Sequence, residues 1–370
     1  MVILDIVFYA FIVIVCIQVI YYTIFLFQFK ESKSLNPLTE SPAVSVIVCA
    51  KNEAENLRAF LPSIIKQDYS KFQIVLINDA SYDDTLAVME SFAEKHNNIK
   101  VVDVENNEAF WANKKYALTL GIKAAKYEHL LFTDADCKPV SKFWIQEMSI
   151  HFSTQKHLIL GYGGYMKVKN SLLNKLIRFE TVLTAMQYIS YANLGIPYMG
   201  VGRNLAYTKN VFFEVNGFMN HMHIRSGDDD LFVNQVGNNN NTAISLSPNS
   251  FTKSKPKQSF SDWIHQKKRH ITTASNYKLK HKILLGLFFS SQFLFYTFCI
   301  SLLIFQVFWK IVIGLIVLRI IIQIIAYSMV TKKLNEKDII PFIPLLDIFL
   351  IAIQLSIFMS NLISKPQHWK

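Results

Sequence analysis

The chain has 370 residues, 51% of them hydrophobic and 29 of them Phe, and it carries a formal charge of +11. That apolar content, with a positive mean hydropathy, excludes a wholly soluble domain and assigns part of the chain to lipid. The basic excess fits attraction to anionic lipid, and since no nucleic-acid-binding motif accompanies it, nucleic acid is not expected as a partner.

Val2 to Phe29 is apolar apart from Asp5, Gln18, Thr23 and Gln28. At about 1.5 Å per residue it exceeds a hydrocarbon core of ~30 Å, which predicts a membrane span. A cleaved signal peptide is not expected, because no basic residue precedes the run and no small-x-small site follows it. Val44 to Ala50 then predicts a strand, and Lys51-Asn52-Glu53 turns it into a helix to about Gln67 with Leu57, Phe60, Leu61, Ile64 and Ile65 on one face. A second strand, Gln73 to Ile77, ends in Asn78-Asp79-Ala80-Ser81, and Asp83 and Asp84 open a helix through about Lys95. A third strand, Lys100 to Val104, precedes a loop with Phe110 and Trp111 and a helix from Lys114 to Lys126. The fourth, Leu130 to Phe132, runs into Asp134 and Asp136. Such alternation predicts a parallel, doubly wound sheet with Ala50, Asp79 and Asp134 along one crevice.

The spacing of Asp134 and Asp136 aims both carboxylates to one side of the strand end. Hard oxygen ligands of this kind suit a divalent cation, magnesium or manganese, which can clamp a diphosphate. Asp-x-Asp is also common on solvated loops, so the motif alone leaves both readings open.

Beyond Pro139 the alternation stops. The sequence predicts a helix over Val140 to Ser153, a Gly-rich strand over Leu158 to Met166, and a helix over Leu172 to Tyr191 that packs on the sheet or touches the membrane. Met199 to Tyr207 contains Gly200 and Gly202, which let backbone approach a ligand. Ser226 to Leu231 holds three consecutive aspartates, either a source of a general base or a helix-capping cluster. Gly237 to Thr242 reads as a loop, and Trp263 to Lys282 as a basic interfacial helix. Spans follow over Ile283 to Phe308 and Ile311 to Val330, joined at Trp309-Lys310. A fourth, Ile339 to Ile363, begins irregularly at Pro341 and Pro344. Lys30, Lys33, Lys278, Lys280, Lys282, Lys332, Lys333 and Lys337 fall on one side of this arrangement, outnumbering Lys310, Lys365 and Lys370, and place the large domain in the cytoplasm. Arg319 and Asp347 come to similar depth and are expected to pair; snorkelling, or an interfacial fourth segment, is the alternative. Cys16, Cys49, Cys137 and Cys299 show no paired spacing, which fits a reducing compartment.

Three segments in order resemble family 2 glycosyltransferases of the GT-A fold: Ser45 to Leu57, Asn78 to Thr85, and Asn113-Lys-Lys-Tyr-Ala-Leu118, where Asn113 replaces the usual Gly. The resemblance implies an α/β, Rossmann-like GT-A cytoplasmic domain with one N-terminal and two to three C-terminal transmembrane helices. It divides the chain into a first span (1–29), a GT-A domain (41–257, with a nucleotide-sugar half 41–139 and an acceptor half 140–257), a basic interfacial segment (258–282) and C-terminal spans (283–363). It implies that Ala50, Asn52, Glu53 and Asp79 lie at the nucleotide, Lys114 and Asp134 near ribose and diphosphate, and Asp136 with Asp134 on the cation. Asp79 also suits a simple turn, Asn52 and Glu53 a helix cap, and Lys114 a solvated helix face. Met199 to Tyr207, with Gly202 and Arg203, resembles the acceptor-facing segment. Aligning the family's acidic pair to Asp228-Asp229 makes Asp229 the first candidate base and Asp228 the second. Asp262 to His270 resembles the Gln-x-x-Arg-Trp motif of membrane-attached members, carrying over Gln266 and Arg269, while His270 stands in place of Trp and removes the basis for a stacking platform.

The expected activity is inverting transfer from a nucleotide-sugar donor to a membrane-associated, lipid-linked or glycolipid acceptor in cell-envelope synthesis, with the kind of members resembled pointing to a bacterial inner membrane. A processive polysaccharide synthase, a polyprenyl-phosphate sugar transferase, and a non-enzymatic nucleotide-binding scaffold or transporter are the alternatives.

Overall fold

The computed structural model describes residues 2–32, 40–105, 114–224 and 226–363; the expected loop at Phe110 and Trp111, and Asn113, lie outside them. After α1 (Val2–Gln28), strand and helix alternate through β1 (Val44–Ala50), α2 (Ala54–Ile65), β2 (Phe72–Asp79), α3 (Thr85–Ala93), β3 (Ile99–Val104), α4 (Lys114–Ala124) and β4 (His129–Asp134). Their four strands are parallel in the order β3-β2-β1-β4, as the alternation predicts. β1 and β2 are buried almost throughout, which a continuous Val/Ile/Leu run covered on both faces requires. On one face lie Leu57, Leu61, Val88 and Met89 of α2 and α3; on the other, Ala117, Leu118 and Ile122 of α4.

Gly121 of α4 sits against β2, where an added Cβ would meet Ile77 Cδ1 at 2.1 Å. Ile77 is fully buried and has nowhere to swing. Gly121→Ala is therefore expected to destabilise the domain by about 1–3 kcal/mol, read as a lower melting temperature.

Then follow β5 (Cys137–Pro139), α5 (Trp144–Ser149), β6 (Leu158–Leu160), β7 (Gly163–Tyr165), α6 (Leu172–Asn193), β8 (Leu205–Thr208), α7 (Lys209–Glu214), α8 (Asp230–Val236), β9 (Thr242–Ile244) and β10 (Thr252–Ser254). β8 joins antiparallel to β4 and extends the sheet through β6 to β9, while β5, β10 and β7 form a second, three-stranded sheet over the crevice. Several sequence expectations are corrected here. The strand expected over Leu158 to Met166 is two strands in different sheets. They part at Gly161 and Tyr162, where buried Asn204 donates to the carbonyls of Tyr162 and Ser250. The helix expected from Val140 begins only at Trp144, because the carbonyls of Ser141 and Lys142 accept from Gln67 Nε2 and the Asp68 N–H and cannot start the helical ladder. Thr242 belongs to β9 rather than to the loop before it.

The chain ends in α9 (Phe260–Ala274), α10 (Leu279–Ile304), α11 (Trp309–Lys333), a 3-10 turn over Lys337–Phe342 and α12 (Ile343–Ile363). Among the described residues, four helices are long and apolar enough to cross a membrane, one N-terminal and three C-terminal. The turn between α10 and α11 lies at 305–308, ahead of the expected Trp309-Lys310, with Gln306 and Phe308 in left-handed backbone. The 3-10 turn carries Pro341, consistent with the irregular start expected there. Arg319 and Asp347 pair at 3.0 Å inside the helix bundle. Arg178 of α6 is bonded to Glu336 and, at 2.8 Å, to Asp338, which fixes the soluble domain to the connection between α11 and α12.

Candidate active site

Parallel strands end together, so β1, β2 and β4 bring Ala50, Asp79 and Asp134 to one edge. A cavity of about 550 Å³ opens there, lined by Lys51, Glu53, Asp79, Asp134, Asp136 and Arg203 among others. Asp79 is buried, and burial raises its pKa against the opposing charges of Lys51 and Lys114. Ala50 is buried behind the crevice. Asn52 holds the turn: in left-handed backbone, its Oδ1 accepts from the Tyr82 N–H and its own N–H donates to Ser81 Oγ, both at 3.0 Å. Glu53 occupies the N-cap of α2 without a side-chain cap bond, and its carboxylate accepts from Asn56.

Ligand atoms of Asp134, Asp136 and Cys137 lie within 4.8 Å of one another. Burial, then the charge of Asp134, raises the pKa of Asp136. Two carboxylates so crowded gain from a divalent cation, and an oxygen donor set fits magnesium or manganese. The Cys137 thiol lies 2.8 Å from Ser254 Oγ and is held neutral by burial, which makes it a packing group rather than a ligand for a hard cation.

Across the crevice stand the three aspartates at the start of α8, each in a different state. Asp228 pairs with Lys114 at 2.9 Å, and Lys114 also reaches Asp134 at 3.0 Å. Although burial opposes it, the lysine's charge lowers the pKa of Asp228. Asp230 is buried, accepting from Tyr277 OH at 2.7 Å and from Thr273, so it ties α8 to α9 and to the residues after it. Asp229 accepts from the Gly202 N–H at 2.6 Å and the Asp230 N–H at 2.8 Å. Burial, then the charges of Asp228 and Asp230, push its pKa up to about 7. Gly202 is close enough that an added Cβ would lie 3.3 Å from the Asp229 carboxylate.

Asp229 lines a second cavity, of about 390 Å³, that passes between α6 and α9 to α10 and α12. Lys114, Asp134, Arg203, Gln266 and Arg269 line both cavities and mark their junction. Arg203 lies over the Tyr165 ring at 4.4 Å. Of the expected residues, all but Ala50 and Asn52 line one cavity or both; the side chain of His270 lies outside the described residues. Tyr165, Glu180, Thr273 and Tyr277 are additions that sequence reasoning missed. Only Glu180 carried a signal, as the one carboxylate in the apolar Leu172–Asn193 helix.

Residues 45–209 match the family model described as Glycosyl transferase family 2. Among curated proteins, Glycosyltransferase AglE of Haloferax volcanii is 26% identical over 195 residues, 50% of this chain and 59% of that one. The poly-beta-1,6-N-acetyl-D-glucosamine synthase of Staphylococcus epidermidis is 36% identical over 93 residues, 25% of this chain and 21% of that one. The chain thus spans less than two thirds of the length of either relative. The mannosyltransferase PcManGT of Pyrobaculum calidifontis, solved with GDP-Man and Mn2+, superposes with a TM-score of 0.59 at 16% identity, covering 91% of this chain and 96% of that one. The shared architecture is the GT-A fold, as the sequence resemblance implied.

Proposed function

The chain carries a family 2 glycosyltransferase domain, and from that premise we propose that it moves a sugar from a nucleotide-sugar donor to a membrane-associated acceptor. The observation that carries this reading is the meeting of two cavities at one point. One is lined by the carboxylates of Asp79, Asp134 and Asp136, the other by Asp229 and by membrane helices.

The donor's nucleotide enters along Asp79, and its diphosphate lies toward the junction, where Arg203 and Arg269 face it. Asp134 and Asp136 would hold a divalent cation, manganese or magnesium, which would supply positive charge against a departing diphosphate. Asp229 takes the proton of an acceptor hydroxyl, and the freed oxygen forms its bond to the anomeric carbon as the bond to the diphosphate breaks on the opposite face, with inversion. Lys114 keeps Asp228 ionised, and that neighbouring charge raises the proton affinity of Asp229, which favours its uptake of the acceptor's proton. The membrane helices support a lipid-borne acceptor, and the similarity to a poly-beta-1,6-N-acetyl-D-glucosamine synthase supports envelope glycan or glycolipid synthesis. The lysine distribution supports a cytoplasmic catalytic face, and the kind of family members resembled supports a bacterial inner membrane.

Purified protein with a membrane-lipid extract is expected to release nucleoside diphosphate from one member of a nucleotide-sugar panel, only with manganese or magnesium. Asp136→Ala should cut that release by about 10²–10³-fold. Nucleotide binding without release from any donor would favour a binding scaffold instead, and full activity in chelator would remove the cation.

A further inference from the structure

Resting on the transferase reading above, we infer that the second cavity takes its acceptor as a sugar carried on a lipid, and not as a bare lipid phosphate. The cavity changes character along its length. At its inner end are Asp228 and Asp229, and at its outer end Leu285 of α10 and Leu350, Ile353 and Ile357 of α12. Between them the walls from α6 and α9 hold Glu180, Trp263, Gln266 and Lys267. An apolar exit along membrane-length helices accommodates a hydrocarbon tail.

The middle section decides the head group. Trp263 and Tyr162 line the cavity at 1% exposure each, yet among the described residues Trp263 Nε1 and Tyr162 OH have no hydrogen-bond partner, and neither does Gln266 Oε1. Buried polar atoms are rarely left so, and the three together ask for a ligand that both donates and accepts. The indole N–H can only donate and the Gln266 carbonyl oxygen can only accept. Sugar hydroxyls satisfy both kinds.

A phosphate dianion accepts only and would face the carboxylate of Glu180. Nor, among the described residues that line this cavity, is there spare lysine charge to hold it. Lys267 is paired with Glu180 at 2.5 Å, and Lys114 with Asp134 and Asp228. Arg203 and Arg269 sit at the junction, where they face the donor's diphosphate. A buried, uncompensated phosphate is costly, whereas a neutral sugar is not.

The test uses the full chain in detergent with its nucleotide-sugar donor. Methyl, octyl and dodecyl glycosides of glucose, galactose, mannose and N-acetylglucosamine are compared as acceptors with undecaprenyl phosphate. At least one glycoside series is expected to be labelled, with acceptor KM falling about tenfold or more from methyl to dodecyl, as buried methylenes contribute. Trp263→Phe, which removes one N–H and keeps the ring packing, should raise the dodecyl glycoside KM about fivefold. Preferential labelling of undecaprenyl phosphate, labelling of neither class, indifference to alkyl length, or an unchanged KM in Trp263→Phe overturns the inference. Slow release of nucleoside diphosphate to water separates the two readings. If it persists while the glycosides fail, only this inference falls; if it is absent with every donor, the transferase reading falls first.

Discussion

Asp229→Asn is expected to lower the rate of sugar transfer by about 10²–10⁴-fold, the range lost with a positioned general base. The loss should fall on kcat, because the asparagine side chain can still accept from the Gly202 N–H that now holds the carboxylate. The wild-type pH profile carries a second signature. With its pKa raised to about 7, Asp229 is protonated below that pH and idle as a base. At pH 5 about one molecule in a hundred holds the active form, so kcat/KM should rise close to tenfold per pH unit up to about 7 and then level. The shift stems from burial and from the charges of Asp228 and Asp230. Asp228→Asn removes one of those charges and frees Lys114 to act on Asp229, and both changes favour the ionised base. The rising limb should therefore move to lower pH while substantial activity is kept. A profile that is flat from pH 5 to 9, or an Asp228→Asn variant as inactive as Asp229→Asn, would contradict this assignment.

The sequence carried the first half of the fold because its central strands β1 and β2 are buried almost throughout. Val44 to Ala50 and Gln73 to Ile77 are continuous apolar runs separated by helical periodicity, and only a covered parallel sheet accommodates them. It could not carry the second half, where short strands depend on distant partners: β7 exists because β10 runs alongside it, and Gly163 gives no local sign of that. The site divides the same way. Asp79, Asp134 and Asp136 were legible because strand ends place their own residues. The choice among Asp228, Asp229 and Asp230 was not, since it rests on Lys114 far earlier in the chain and on Thr273 and Tyr277 far later. Asn52, expected at the nucleotide from its motif alone, has left-handed backbone, and its side-chain oxygen accepts from the Tyr82 N–H.

Removing Asp347 alone, as Asp347→Leu, is expected to cost the helix bundle about 3–5 kcal/mol, the range for breaking a buried ion pair. Both partners are only 1% exposed, so neither charge can reach water when left alone. Around them the membrane helices supply a connected set of polar groups. Arg319 donates to Gln323 Oε1 at 2.6 Å and to Gln18 Oε1 at 3.2 Å, and Asp347 accepts from Tyr296 OH at 2.8 Å and Gln292 Nε2 at 3.2 Å. Those neutral partners solvate an isolated charge only in part. Arg319→Leu should be as damaging, since it strands the carboxylate. Exchange of the two, Arg319→Asp with Asp347→Arg, should recover much of either loss. Recovery will be incomplete, because Gln18 and Gln323 would then face the carboxylate and must present amide N–H groups in place of oxygens. Replacing both by leucine should also outperform either single change, because no charge is left behind. Thermal unfolding in detergent and a membrane-insertion assay read all four variants. Single losses that leave stability unchanged would mean that water or lipid head groups reach these side chains, and with that the closed bundle would be wrong.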